Sequence, residues 1–201
     1  MKHYITSILS FICLVFLVQG NVFSQSFYMA EHTGQSIHYE AIPKTNNEVR
    51  IVKDFLSNRN YILLRNEVRL VSVVENEGKS FYVTTIGKKA FEGVEELKEI
   101  VVTSGITNIE KEAFLSCKKL TKLTLYGAQR IGDNAFKGCE NINSVIIFTS
   151  YPPVLGKEVF DEKMENATLY VPDRALVDYK KSEWSKYFTK ILGTSNLGYS
   201  E

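Results

Sequence analysis

Cysteine, histidine and surplus charge are all scarce in this chain. Of three cysteines, Cys13 falls in an apolar leader, so only Cys117 and Cys139 would survive processing. That is too few for a disulfide-stapled scaffold. The histidines are His3, His32 and His38. None has the Cys/His spacing of a zinc site, and no Gly-rich phosphate loop is present. A nucleophile needs its base within hydrogen-bond reach, and His32 and His38 both precede the repetitive part of the chain. Catalysis, a bound metal and a cofactor are therefore not expected. The formal net charge is only +1, which provides no basic face for nucleic acid.

One long apolar run stands at the start. A short, weakly basic beginning with Lys2 leads into a mostly apolar stretch from Ile5 to Val18. Small residues follow, at Gly20 and Ser24. This pattern predicts a secretory signal peptide over 1–24, cleaved after Ser24 or, as the alternative, after Gly20. The run is too short for a membrane anchor, so no transmembrane segment is expected in the mature chain. Cys13 does not fit a lipidation site, because Ile12 stands where a small residue is needed. Removing 1–24 takes away Lys2 alone and leaves 23 basic against 23 acidic residues.

What the chain has is self-similarity. Ile86-Gly-Lys-Lys-Ala-Phe91 returns as Ile109-Glu-Lys-Glu-Ala-Phe114, as Ile131-Gly-Asp-Asn-Ala-Phe136 and, loosened, as Leu155-Gly-Lys-Glu-Val-Phe160. The phenylalanines step by 23, 22 and 24 residues. Six residues beyond the first three, L-x-x-L-x-L segments begin: Leu97/Ile100/Val102, Leu120/Leu123/Leu125 and Ile142/Val145/Ile147. Met164/Ala167/Leu169 reads as a degraded fourth copy. One coil of this length cannot enclose its own apolar residues, so coils must stack and share an interior. The L-x-L pair alternates as a strand does, and stacked strands form a parallel ladder about 4.8 Å apart. The I-x-x-x-A-F stretch returns the chain on the opposite side, with Ala allowing close approach and Phe filling the interior.

The stretch Ser80-Phe-Tyr-Val-Thr-Thr-Ile-Gly-Lys-Lys-Ala-Phe91 and the F-x-x-C-x-x-L run from Phe114 to Leu120 resemble the BspA-type leucine-rich repeat family of secreted and surface bacterial proteins. Ala167-Thr-Leu-Tyr-Val-Pro172 and Tyr179-Lys-Lys-Ser-Glu-Trp184, with Phe188 and Ile191, carry the same resemblance. The chain departs from better-known leucine-rich repeats in having Gly105, Ala128 and Ser150 where a ladder asparagine would stand. The resemblance implies adhesion or protein binding and brings no catalytic residues with it.

The expected fold is an α/β-type solenoid, a short right-handed superhelix with a parallel β-ladder on its concave face. Its parts are a signal peptide at 1–24, an N-terminal β-rich cap at 25–60, the repeat solenoid at 61–172, and a C-terminal helical cap and tail at 173–201. In the N-terminal cap, Ile37–Ile42 and Glu48–Val52 look like strands joined by a turn at Pro43–Asn47. In the C-terminal cap, Asp173 is the expected N-cap of a short helix through Leu176 and Tyr179. Trp184, Phe188 and Ile191 follow at helical spacing, as a stripe covering the last coil.

The candidate binding residues are the outward positions of the strands. Tyr126, Phe148 and Tyr170 lie 22 residues apart and are expected side by side. Val101, Thr124, Ile146 and Thr168 would form the neighbouring row. An outward strip of aromatic and aliphatic side chains marks an interaction site. The competing reading is that the rings only brace adjacent strands, or that the 194–201 segment folds over them. The expected partner is an extracellular protein, such as a host matrix or cell-surface protein, or else a glycan stacking on the rings. The expected location is secreted, periplasmic or cell-surface, in a bacterium. Cys117 and Cys139 share one repeat slot with Val94; that slot favours a thiol stack, with a disulfide as the alternative.

Overall fold

The computed structural model describes residues 26–30, 36–53, 67–162 and 164–198. The leader, His32 and Tyr61–Leu64 lie outside them. The first strands are β1 (Ser26–Ala30), β2 (Ser36–Ala41), β3 (Glu48–Val52), β4 (Glu67–Leu70), β5 (Val73–Asn76), β6 (Lys79–Ile86) and β7 (Glu99–Val102). They are followed by β8 (Asn108–Ile109), β9 (Lys122–Leu125), β10 (Arg130–Ile131), β11 (Ser144–Ile147), β12 (Val154–Leu155) and β13 (Thr168–Val171). Helix α1 (Leu176–Lys181), flanked by 3-10 turns, and strand β14 (Lys190–Gly193) finish the chain.

These strands form two ladders around one interior. Strands β4, β7, β9, β11, β13 and β14 lie in that order in a wholly parallel sheet. Alternation puts Ile100 and Val102, Leu123 and Leu125, and Val145 and Ile147 inward, each fully buried. The second ladder runs β6, β8, β10, β12, in parallel two-residue rungs built on Ile86, Ile109, Ile131 and Leu155. The expected return path is thus itself a sheet. Its signal was the isoleucine opening each I-x-x-x-A-F run, but a two-residue strand is too short for any period to register.

Between the ladders the phenylalanines stack in register. Ring centroids are 4.9 Å apart for Phe91–Phe114, 5.1 Å for Phe114–Phe136 and 5.4 Å for Phe136–Phe160, with planes within 11° of parallel. The backbone beside them continues the pairing: Phe91, Phe114 and Phe136 donate their N–H to Ala113, Ala135 and Val159 of the next coil at 2.7–2.8 Å. Such tight turns need left-handed residues, which favour glycine. Gly93, Ser116 and Gly138 hold one slot with φ of 70°, 61° and 74°. Lys89, Glu112, Asn134 and Glu158 hold the other, at 50–60°.

The ends are closed differently. At the N-terminus β1, β2 and β3 form an antiparallel meander, and β3 joins β6 in parallel, so the meander continues the second ladder. The expected turn between β2 and β3 is present, with Lys44 and Asn47 in left-handed conformation. At the C-terminus Trp184, Phe188 and Ile191 are buried, and the edges of Phe188 and Tyr187 meet Phe160 at 5.2 and 5.4 Å. Their spacing is not that of one helix, however. Trp184 sits in a 3-10 turn (Glu183–Lys186) and Ile191 on β14, so the stripe results from a turn followed by a strand. Asp173 does not cap the helix either. Pro172 precedes the first 3-10 turn with no side-chain cap, and the Asp173 carboxylate instead accepts hydrogen bonds from Ser195 N at 3.1 Å and Ser195 Oγ at 2.6 Å.

Candidate functional site

The outward side of the six-stranded sheet carries three rows of side chains. The first includes Glu99, Lys122, Ser144 and Thr168, and a Lys122–Glu99 ion pair at 3.4 Å bridges two of its coils. The middle row is Arg69, Val101, Thr124, Ile146, Tyr170 and Leu192. The third, one step beyond the strands, brings Tyr126 beside Phe148.

The register corrects two expectations. Tyr170 pairs with Ile146, and Thr168 with Ser144. Tyr170 therefore belongs to the middle row and Thr168 to the first; neither stands where a 22-residue step would put it. The cause is local. Four residues link β9 to β10, whereas six (148–153) link β11 to β12. The third coil is two residues longer, and the rung after it shifts by the same amount. The fourth repeat's inward pair is accordingly Leu169 and Val171, not Ala167 and Leu169.

Only part of the expected strip meets solvent. Tyr126 and Phe148 are 40% and 36% exposed, and Tyr170 is half-buried. Val101, Thr124 and Ile146 are only 5–8% exposed although they face outward. The first row flanks them on one side and the aromatic pair on the other. The described part of the C-terminal segment leaves Tyr126 and Phe148 exposed; its last turn (Thr194–Leu197) follows β14, lies near β13 and is tied to Asp173.

Tyr126 and Phe148 stack with centroids 4.5 Å apart and planes 7° from parallel. Their separation matches the spacing of adjacent strands, about 4.8 Å. The ring planes therefore stand across the ladder axis, and each ring covers one face of the other. Beside them in the same row, the buried Thr103 Oγ1 has no hydrogen-bond partner.

Residues 77–175 match the family described as "BspA type Leucine rich repeat region", in six copies. These residues form a BspA-type leucine-rich repeat. Among curated proteins none matches the sequence. Solved structures of similar shape include a leucine rich cell surface protein from Faecalibacterium prausnitzii A2-165, at 14% identity and TM-score 0.47 over 85% of this chain and 51% of that one. This chain thus spans about half the length of that protein. A leucine-rich repeat protein from Bacteroides capillosus ATCC 29799 is similar at 15% identity and TM-score 0.44, over 78% of this chain and 93% of that one. A T. pallidum leucine-rich repeat protein is similar at 16% identity and TM-score 0.44, over 78% and 83%.

The leucine-rich repeat also explains the cysteines. Both are free and buried. Cys117 donates its thiol to Phe91 O at 3.0 Å and Cys139 to Phe114 O at 3.1 Å, so each sulfur ties its coil to the one before. Its buried place beside the Cys117 thiol pushes the Cys139 pKa well above the ordinary thiol range, which leaves it an inert structural group. Among the described residues no cluster of His, Cys, Asp and Glu could hold a metal ion, and no helix is long and apolar enough to cross a membrane.

Proposed function

We propose that this leucine-rich repeat protein is exported by a bacterium through the 1–24 leader. Its role is to bind a protein on the outward face of the six-stranded sheet, without chemistry of its own. The family supports a surface or adhesion-type repeat protein. The observation that carries the finer reading is the exposed Tyr126–Phe148 stack, beside a middle row that is already closed off. Exposed apolar side chains grouped together mark interaction sites, and tyrosine is among the residues enriched at interaction hot spots.

The same geometry removes half of the aromatic face on which a glycan would stack. A sugar ring stacks on an aromatic face, whereas here the facing sides of Tyr126 and Phe148 are occupied by each other. Ring edges and a hydroxyl suit a protein surface, which offers aromatic faces and backbone carbonyls in return. The test is capture from host extracellular proteins beside a glycan array. Recovery of a protein by the native chain but not by Tyr126→Ala/Phe148→Ala is the expected result. Glycan binding insensitive to that double substitution would overturn the reading.

A further inference from the structure

The second ladder has an outward face of its own, and it is not flat. A hollow of about 420 Å³ opens over β6, β8, β10 and β12. Ile109, Ile131 and Leu155, whose side chains are buried in the interior, underlie its floor, and Gly132 and Gly156 on adjoining coils leave it uncovered. These glycines serve the packing of the repeat. A Cβ on Gly132 would come within 2.6 Å of Lys111 N, so the stacking of coils itself keeps the hollow open.

Across this hollow runs the row Thr85, Asn108, Arg130, Val154, each side chain one strand from the next. Its charges are unequally matched. Glu110 is the one anionic lining residue, and its carboxylate is already engaged by Lys88 N at 2.8 Å and the Arg50 guanidinium at 3.7 Å. Arg130 is the one cationic lining residue. It is exposed, and its guanidinium makes no ion pair or hydrogen bond among the described residues. The Asn108 amide, on the adjoining strand, adds donors next to it.

On the other side of Arg130 the surface turns apolar. Val154, the first residue of β12, is 64% exposed, and Tyr151, in the connection that made the third coil longer, is 81% exposed. That connection is held from behind. The Tyr179 hydroxyl, whose pKa burial raises to about 12, donates toward Thr149 O at 3.1 Å and Tyr151 O at 3.3 Å. Trp184 Nε1 donates to Pro153 O at 3.0 Å. The two extra residues are therefore not a loose insertion but a braced loop that presents an aromatic side chain, and such preorganisation favours binding.

We propose that this hollow is a second binding site, distinct from the Tyr126–Phe148 face, and that it takes an extended acidic segment of a partner protein. A carboxylate of the segment sits between the Arg130 guanidinium and the Asn108 amide. A bulky apolar side chain two positions along lies on Val154 and Tyr151. In an extended chain alternate side chains share a face, so side chains two positions apart reach the adjacent strands of Arg130 and Val154 together. Charge-assisted bonds to arginine supply specificity for the acid.

The experiment selects random dodecapeptides displayed on phage against the purified protein, then measures synthetic copies of the enriched sequences in solution. The expected consensus is Asp or Glu two residues from a large apolar residue. Binding should weaken about tenfold or more, roughly 1.4 kcal/mol, in both Arg130→Gln and Val154→Asp. Both side chains are exposed, so these variants keep the fold. Tyr126→Ala/Phe148→Ala should leave the peptide bound, which separates this site from the sheet face. The proposal is overturned if no acidic consensus emerges, if both hollow variants bind undiminished, or if only the sheet-face variant loses the peptide.

Discussion

Phe114 shows at the scale of one residue what holds the coils together. It lies between Phe91 and Phe136, fully buried, with a parallel ring on each side. Removing it empties a space that two neighbouring coils were shaped around, so Phe114→Ala should cost about 3–5 kcal/mol in a denaturant melt. A loss below 1 kcal/mol would mean that the coils do not depend on the column. The backbone slot at Ser116 works in the opposite direction. Gly93 and Gly138 occupy the equivalent left-handed positions, whereas Ser116 adopts φ 61° with a side chain. Relieving that strain predicts that Ser116→Gly gains about 1 kcal/mol. A destabilised variant in the same melt would contradict the assignment of strain.

At the scale of elements, the strands were legible where apolar residues alternate over four positions and less so elsewhere. Ile100/Val102, Leu123/Leu125 and Val145/Ile147 read directly as inward pairs. The second ladder did not, because Asn108–Ile109 and Arg130–Ile131 have one inward side chain apiece. The rung at Tyr170 was misplaced because a loop length, rather than a strand pattern, sets its register. The C-terminal closure depended on a contact that no local pattern reveals, between the Asp173 carboxylate and Ser195. Hydrogen bonds from Ser195 hold the Asp173 pKa below that of an ordinary aspartate. The sign follows from linkage: a depressed folded value adds stability above the unfolded pKa, and that stability is lost as pH falls through the folded value. Protection of the Ser195 amide from hydrogen exchange should therefore persist at neutral pH and decline below the carboxylate range. In Asp173→Asn it should be weakened at every pH. Unchanged protection in that variant would remove Asp173 from the closure.

For the whole molecule, the period of 22 to 24 residues was enough to imply stacked coils, a shared interior and a strand-bearing outer surface. Which outer residues remain available was not legible, because exposure depends on flanking rows. Val101 and Ile146 look outward in the sequence pattern yet are closed off, while Tyr126 and Phe148 stay open. Tyr151 carries no signal in the sequence, since it belongs to no repeat position and its display depends on Tyr179 and Trp184 from the far end of the chain. The proposed binding requires a rigid interior that leaves the Tyr126–Phe148 edge free to engage a protein. The most direct measurement is the affinity of a captured partner for the native chain and for Tyr126→Ala/Phe148→Ala, with thermal melts of both. The account predicts a folded variant, melting within a few degrees of the native chain, whose binding is about 30-fold weaker, close to 2 kcal/mol. A folded variant that binds with undiminished affinity would contradict it.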